Sequence, residues 1–163
     1  MSEHLPELSA SARRVQEVLN RKGVRLDVVE LPASTRTAEE AARAVGCDVG
    51  QIAKSLVFRM EQSDRPVLVI ASGLNRVDER LIGEHVGEMV SMANADFVRA
   101  VTGFVIGGVP PVGHLSDLDT LIDQDLFNYG EIWAAAGTPN AVFRLNPEVL
   151  VEITGGFVMR IAA

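Results

Sequence analysis

Lys54 is the residue whose type and position most favour a chemical role in this sequence. It lies where a capped turn leads into an apolar segment, residues 55–58. The chain uses Lys only at positions 22 and 54, against thirteen Arg. A compact ammonium at the start of a strand could bind a phosphate or a ribose, or stabilise a developing oxyanion. The alternative is a side chain that only extends its charge into solvent.

The segment richest in Gly and Pro, residues 103–114, contains the second candidate for chemistry. Its centre consists of Gly107, Gly108, Val109, Pro110 and Pro111. Glycine allows a positive φ and a close approach of the backbone to a ligand, and consecutive prolines hold the loop rigid. Such a loop can present backbone groups to a small substrate. A stiff turn that binds nothing explains the same residues equally well.

The remaining reactive side chains are weaker candidates. His4, His85 and His114 lie far apart, and none has a second ligand at helical spacing, so we expect no metal site and no cofactor. His114 borders the glycine-rich loop, where we expect a solvated side chain. Cys47 follows a predicted helix with no neighbouring base, which favours an inert thiol over a nucleophile. Ser55 could supply a hydroxyl to a pocket or point to the opposite face of its strand.

Length and composition predict one soluble domain with a sizeable core. The chain has 163 residues, of which 47% are apolar and 23% are charged. Its net charge of -7 argues against broad binding of nucleic acid, DNA included, but not against a local contact with a few phosphates. A single cysteine excludes an internal disulfide. We see neither a membrane helix of about 20 apolar residues nor a signal peptide, and therefore expect a cytoplasmic protein without membrane contact.

Periodicity and capping residues predict the elements that must position these candidates. Amphipathic spacing predicts a first helix over 8–22, and Thr37 and Glu40 form the pattern of a capping box that begins a second helix. Further helices are expected at 78–85, at 94–100 and after Asn146. Strands are expected at 26–31, 55–58, 66–71, 120–122, 131–136, 141–145 and 157–161, the second and third forming a hairpin. We therefore predict a single α+β domain with a mixed, largely antiparallel sheet.

Four segments together resemble the YbaK-type aminoacyl-tRNA editing domains. These segments, in the order and spacing of that family, are 37–42, 53–58, 102–113 and 132–137. The family includes the insertion domain of bacterial prolyl-tRNA synthetases and free-standing trans-editing proteins. The resemblance covers nearly the whole chain, from about Ser9 to Ile161, and implies a compact domain with a barrel-like sheet and surrounding helices.

The resemblance also implies an activity and a set of residues. The activity is metal-free hydrolysis of the ester that joins a wrong amino acid to the 3′ adenosine of a tRNA, with Lys54 as the main polar side chain of the pocket. The expected substrate-binding residues are Ser55, Gly107, Gly108, Val109, Pro110, Pro111, Ala135 and Gly137. Residues 135–139 read Ala-Ala-Gly-Thr-Pro, where some relatives have Ser-Gly-Gly followed by basic residues. The missing hydroxyl and basic residues bear on two properties: which amino acid the pocket accepts, and how strongly the protein binds tRNA.

Three functions are compatible with these residues. The first is a free-standing deacylase of mischarged tRNA, for which cysteine, alanine and serine are candidate amino acids. The second is a module of the same fold that binds an aminoacyl-tRNA end, or an aminoacyl-tRNA synthetase, without turnover. The third is a hydrolase of a small aminoacyl metabolite, which would need no surface for tRNA. Such a surface, or only a solvated helix face, is predicted from Arg13, Arg14, Arg21, Lys22 and Arg25.

Overall fold

The computed structural model of the protein describes residues 8–163, so the predictions for the N-terminal segment and His4 lie outside the described residues. This part of the chain contains five α-helices and eight β-strands. The helices are α1 (Ala10–Arg21), α2 (Ala38–Val45), α3 (Glu79–Val86), α4 (Ala95–Thr102) and α5 (Pro147–Thr154). The strands are β1 (Val29–Glu30), β2 (Ile52–Met60), β3 (Pro66–Ser72), β4 (Val90–Met92), β5 (Asp119–Asp123), β6 (Ile132–Ala135), β7 (Ala141–Leu145) and β8 (Phe157–Met159).

All eight strands belong to one mixed sheet, as the sequence predicted. Its order is β1-β7-β6-β2-β3-β5-β8, and β4 pairs with β2 off this path. The predicted hairpin is the antiparallel pair β2–β3, in which Lys54 lies opposite Ala71. Parallel pairs join β2 to β6, β3 to β5 and β5 to β8. The described strands β1 and β8 do not pair with each other, so the sheet is open and not a closed barrel.

The central strand β3 is buried on both faces, and its alternating side chains separate two apolar clusters. Leu68 and Ile70 pack into the larger cluster, which includes the buried face of α1. Val67 and Val69 pack into the second cluster, together with Ile82 of α3. A continuous apolar run is typical of a strand covered on both sides. No helix over residues 8–163 combines the length and apolar character that a membrane span requires.

The predicted capping residues of α2, α4 and α5 are confirmed, with one difference in their hydrogen bonds, whereas α1 begins two residues later than predicted. Asn94 and Asn146 each accept a backbone N–H from the first turn of their helix. Thr37 does the same for α2, accepting from the backbone of Glu40 at 3.1 Å. The Glu40 carboxylate, however, accepts from the Ser34 hydroxyl at 2.7 Å and does not complete the predicted capping box. The Ser34 hydroxyl, from the segment before the helix, therefore takes the place of the Thr37 backbone N–H as the donor to this carboxylate.

The sequence predicted too long a first strand and missed two short elements. The Gln16 side chain of α1 donates to the Leu26 carbonyl and accepts from the Val28 amide, so this segment bonds to a helix and not to the sheet. Pairing with β7 is therefore restricted to β1. Strand β4 and the 3₁₀ helix Gln124–Asn128 were not predicted, since such short elements carry too few residues for a periodic pattern.

Candidate functional site

The candidate site is a cavity of about 380 Å³ beside the middle of β2. On this edge of β2, strand β6 pairs only at Ile52 and Ala53, and β4 pairs only from Phe58 onward. The two neighbouring strands therefore diverge and leave a gap along residues 54–57. Because the backbone polar groups of a strand alternate between its edges, the N–H and C=O of Ser55 face this gap without a ladder partner. The site is a local interruption of the sheet.

Lys54 lines the cavity and is half-buried. The ion pairs among residues 8–163 are made by Arg side chains, at Arg59, Arg65, Arg80 and Arg144. The Lys54 ammonium is therefore not neutralised by a carboxylate of the described chain. A cation in a cavity of mainly apolar walls is available for a negative or developing negative charge on a ligand.

Ser55 also lines the cavity, although neighbouring strand residues point to opposite faces of a sheet. Consecutive residues 53–57 all line the cavity, because it opens along the edge of the strand and not over one face. The Ser55 hydroxyl oxygen is buried, and it is the one such side-chain atom among residues 8–163 that lacks a hydrogen-bond partner. A buried hydroxyl without a partner costs free energy, and a bound ligand could satisfy it.

The glycine-rich loop forms one wall of the cavity through part of the predicted set. Gly107 and Val109 line the cavity, and Ala135 faces them from the end of β6. Three further predicted residues, Gly108, Pro110 and Pro111, are buried behind this wall, and they are not among the lining residues. Gly137 also lies outside the cavity, where its N–H donates to the Gly108 carbonyl at 2.8 Å. These buried residues therefore support the wall and do not form its surface.

The back of the loop is held by α1 and by His114. Arg14 donates to the Gly113 carbonyl at 2.7 Å, and its guanidinium lies 4.8 Å from the centre of the Phe104 ring. His114 Nε2 lies 2.7 Å from the Pro110 carbonyl oxygen, which requires the proton on Nε2. The expectation of a solvated His114 is therefore wrong. The Arg14 guanidinium is engaged in these contacts with the loop, and no residue of α1 lines the cavity.

We expect His114 to make the stability of the protein depend on pH. Burial is the main cause that lowers its pKa below the usual 6.5; the charge of Arg14 adds to it, and the bond to Pro110 opposes it. The unfolded chain therefore binds more protons at mildly acidic pH. The contribution of His114 to stability is complete above about pH 6.5 and is lost as the pH falls through the lower pKa of the folded state. Urea unfolding from about pH 7 to about pH 5 should show a larger loss for wild type than for His114→Gln, and equal losses would contradict this role.

The sequence missed the residues that form the rim. Arg36 and Glu39 line the cavity from the start of α2, and Met92 lines it from the end of β4. Met92 is 58% exposed and Ile106, on the glycine-rich loop, is 46% exposed. For Arg36 the sequence held one weak indication, its position directly before the capping residue Thr37. Met92 and Ile106 come to the cavity only through strand pairing and loop packing, which the sequence does not show.

Two further predictions concern reactive groups outside the cavity. Cys47 does not line it, and burial, followed by the charge of Asp48, raises the pKa of its thiol. A thiol with a raised pKa stays protonated near neutral pH and is a poor nucleophile, in agreement with the expected inert role. Among residues 8–163, no group of three or more His, Cys, Asp or Glu side chains is arranged to hold a metal ion.

Comparison with known proteins gives consistent matches. Residues 32–153 match the family described as the aminoacyl-tRNA editing domain. YwhH of Bacillus subtilis is 34% identical over 78% of this chain and 81% of its own length. EbsC of Enterococcus faecalis, named as a proposed Cys-tRNA(Pro)/Cys-tRNA(Cys) deacylase, is 27% identical over 74% of this chain and 73% of its own. A crystal structure described as a proposed trans-editing enzyme for prolyl-tRNA synthetase has 51% identity and a TM-score of 0.91, covering 96% of this chain and 99% of its own.

Proposed function

Because this chain belongs to the aminoacyl-tRNA editing domain family, we propose that it is a free-standing hydrolase of mischarged aminoacyl-tRNA. The proposed reaction cleaves the ester between the amino acid and the terminal ribose, without a metal. Its partners are the 3′ aminoacyl end of a tRNA and an aminoacyl-tRNA synthetase, as the description of the solved relative suggests for that protein.

The observation that carries this proposal is the cavity that joins Lys54 to the glycine-rich loop. Its volume of about 380 Å³ lies in the range of small-ligand pockets, about 300–1,000 Å³, and suits one amino acid with part of a nucleoside. The walls are mainly apolar, and the polar residues lie on two sides of the cavity, at Lys54 and Ser55 on β2 and at residues 35–37 and 39 around the start of α2. This arrangement supports hydrolysis at the end of a large substrate whose remainder stays outside.

The proposed mechanism needs few protein groups because an aminoacyl ester is already activated. Water attacks the carbonyl carbon, and the negative charge of the tetrahedral intermediate lies on the former carbonyl oxygen. We assign Lys54 to the stabilisation of this oxygen or to anchoring the terminal nucleotide. The bond from carbon to the ribose oxygen then breaks, and that oxygen takes a proton that came from the water. The products are the free amino acid and a tRNA with a free ribose hydroxyl.

Ser55 and the loop are proposed to hold the aminoacyl group. The Ser55 hydroxyl and its unpaired backbone groups can bond to the amino acid or position the water, and Gly107, Val109 and Ala135 limit the size of its side chain. A synthetase separates amino acids that differ by one methylene by only about 1–3 kcal/mol, so a second, hydrolytic site improves fidelity. Cysteine, alanine and serine remain the candidate amino acids.

A panel of mischarged tRNAs tests the proposal directly. The protein is incubated with each tRNA in EDTA, and release of the amino acid is measured over time. We expect rapid deacylation of one or two species and no effect of the chelator. A loss of activity in EDTA would contradict the metal-free mechanism. A flat panel would favour a binding module, which the net charge of -7 and the absence of basic residues at 135–139 also support.

A further inference from the structure

Arg36 is a second cation at the cavity and has no part in the mechanism above. It lines the cavity from the segment before α2, and it is exposed. Its stem crosses the glycine-rich loop, because a β-carbon built on Gly107 would lie 2.7 Å from Arg36 Cγ. A side chain at position 107 would therefore displace Arg36. The glycine leaves the space in which the arginine stem lies.

The backbone on both sides of Arg36 is fixed by hydrogen bonds. Thr35 donates to the Pro139 carbonyl through its N–H, at 2.6 Å, and through its hydroxyl, at 2.9 Å. On the other side, the Thr37 hydroxyl oxygen accepts the Glu40 N–H at 3.1 Å. With its flanking residues held in this way, Arg36 directs its side chain onto the loop with little freedom at the backbone. The stem of the side chain, up to Cδ, lies against Gly107.

The Arg36 guanidinium takes no part in the ion pairs found in the described part of the chain. The other charged residues that line the cavity are Lys54 and Glu39. Glu39 is exposed on the first turn of α2, and it makes no ion pair with Arg36. An arginine presents a planar set of donors that suits the oxygens of a phosphate. Its place at the rim suits an anion that lies outside the reacting ester.

We propose that Arg36 binds the phosphate that links the terminal adenosine of the tRNA to the preceding nucleotide. This inference rests on the proposed function. When the ester lies beside Lys54, that phosphate is the nearest anion of the substrate, one ribose away from the reacting bond. Lys54 then acts on the ester, and Arg36 holds the nucleic-acid backbone. Its contribution should fall on KM, since the phosphate carries the same charge in the ground state and the transition state.

The test compares two small substrates that differ only in this phosphate. They are 3′-O-aminoacyl-adenosine and its 5′-phosphate, each with the amino acid that the wild-type protein removes from tRNA. For Arg36→Gln we expect KM to rise about tenfold with the 5′-phosphate and with the mischarged tRNA. The KM for the adenosine ester and all kcat values should change less than about twofold. Arg36→Lys should recover part of the loss, because it restores the charge but not the planar donors.

Arg43→Gln is the matched control, since Arg43 is exposed on α2, the helix that follows Arg36, and does not line the cavity. Its KM values should equal those of the wild type. Equal KM values for Arg36→Gln and wild type with the phosphorylated substrate would overturn the inference and leave the proposed function intact. An equal rise in the KM of Arg36→Gln for both small substrates would also overturn it, since Arg36 would then act only by shaping the loop. A wild type that hydrolyses neither the small substrates nor any mischarged tRNA would contradict the proposed function itself.

Discussion

Replacement of Lys54 by alanine should lower kcat/KM for the mischarged tRNA by at least about 100-fold. Removal of one preorganised group that stabilises an oxyanion typically costs about 10²–10³ in rate. The cavity contains no substitute for it, because the other lining cation, Arg36, lies at the rim over Gly107. The measurement is amino-acid release under single-turnover conditions, which separates the chemical step from binding.

Lys22→Ala is the control for this variant, since Lys22 is the other lysine of the chain and is exposed beyond α1. Lys22 does not line the cavity, so at saturating protein, where binding of the tRNA no longer limits the rate, this variant should keep the wild-type rate of the chemical step. Thermal unfolding should show that Lys54→Ala is folded, because removing an unpaired, half-buried cation leaves no partner unsatisfied. A Lys54→Ala rate within about threefold of the wild type would remove Lys54 from the mechanism, and Ser55 with its unpaired backbone groups would become the main candidate.

Gly108→Ala should destabilise the protein and reduce its activity together. A β-carbon at Gly108 would lie 2.9 Å from the backbone N, Cα and carbonyl carbon of Thr138, and backbone cannot move aside as a flexible side chain can. The bond from the Gly137 N–H to the Gly108 carbonyl would have to shift as well. We expect a loss of about 2 kcal/mol in unfolding free energy and a fall in Tm of roughly 4–8 °C. The flanking residues Gly107 and Val109 form the cavity wall, so kcat/KM should fall about tenfold.

Gly130→Ala is the matched control for the loop variant. A β-carbon at Gly130 would meet nothing within 4 Å, so the substitution should leave Tm and activity close to wild type. A Gly108→Ala protein with the wild-type Tm would show that the contact with Thr138 relaxes without cost. A normal kcat/KM would show that the loop does not shape the substrate site.

Local sequence patterns were sufficient to predict most of the helices and strands. Capping residues such as Asn94 and Asn146 predicted helix starts because they bond to the first turn of their own helix, which needs no distant partner. The hairpin of β2 and β3 was predicted because two apolar runs stand close together in sequence. Strand β4 was missed, and β1 was predicted too long, because pairing with distant segments decides both.

The sequence by itself also determined which residues offer chemistry. Lys54 and the loop at residues 107–111 stood out by residue type, and their joint resemblance to a family gave the expected activity. The structure brings Lys54, Gly107 and Val109 to one cavity. Other predicted site residues lie behind the cavity wall. The Pro110 carbonyl accepts a hydrogen bond from His114, and the Gly108 carbonyl accepts one from the Gly137 N–H.

Only the tertiary structure decided where the site opens and what surrounds it. The gap beside β2 exists because β4 and β6 leave that strand at different points, and this divergence leaves the backbone N–H and C=O of Ser55 without a strand partner. Arg36 lies over Gly107, and the two are far apart along the chain. Periodicity and capping describe interactions between residues within a few positions of each other. Strand divergence and a side chain crossing a distant glycine depend on long-range packing, which such local patterns do not encode.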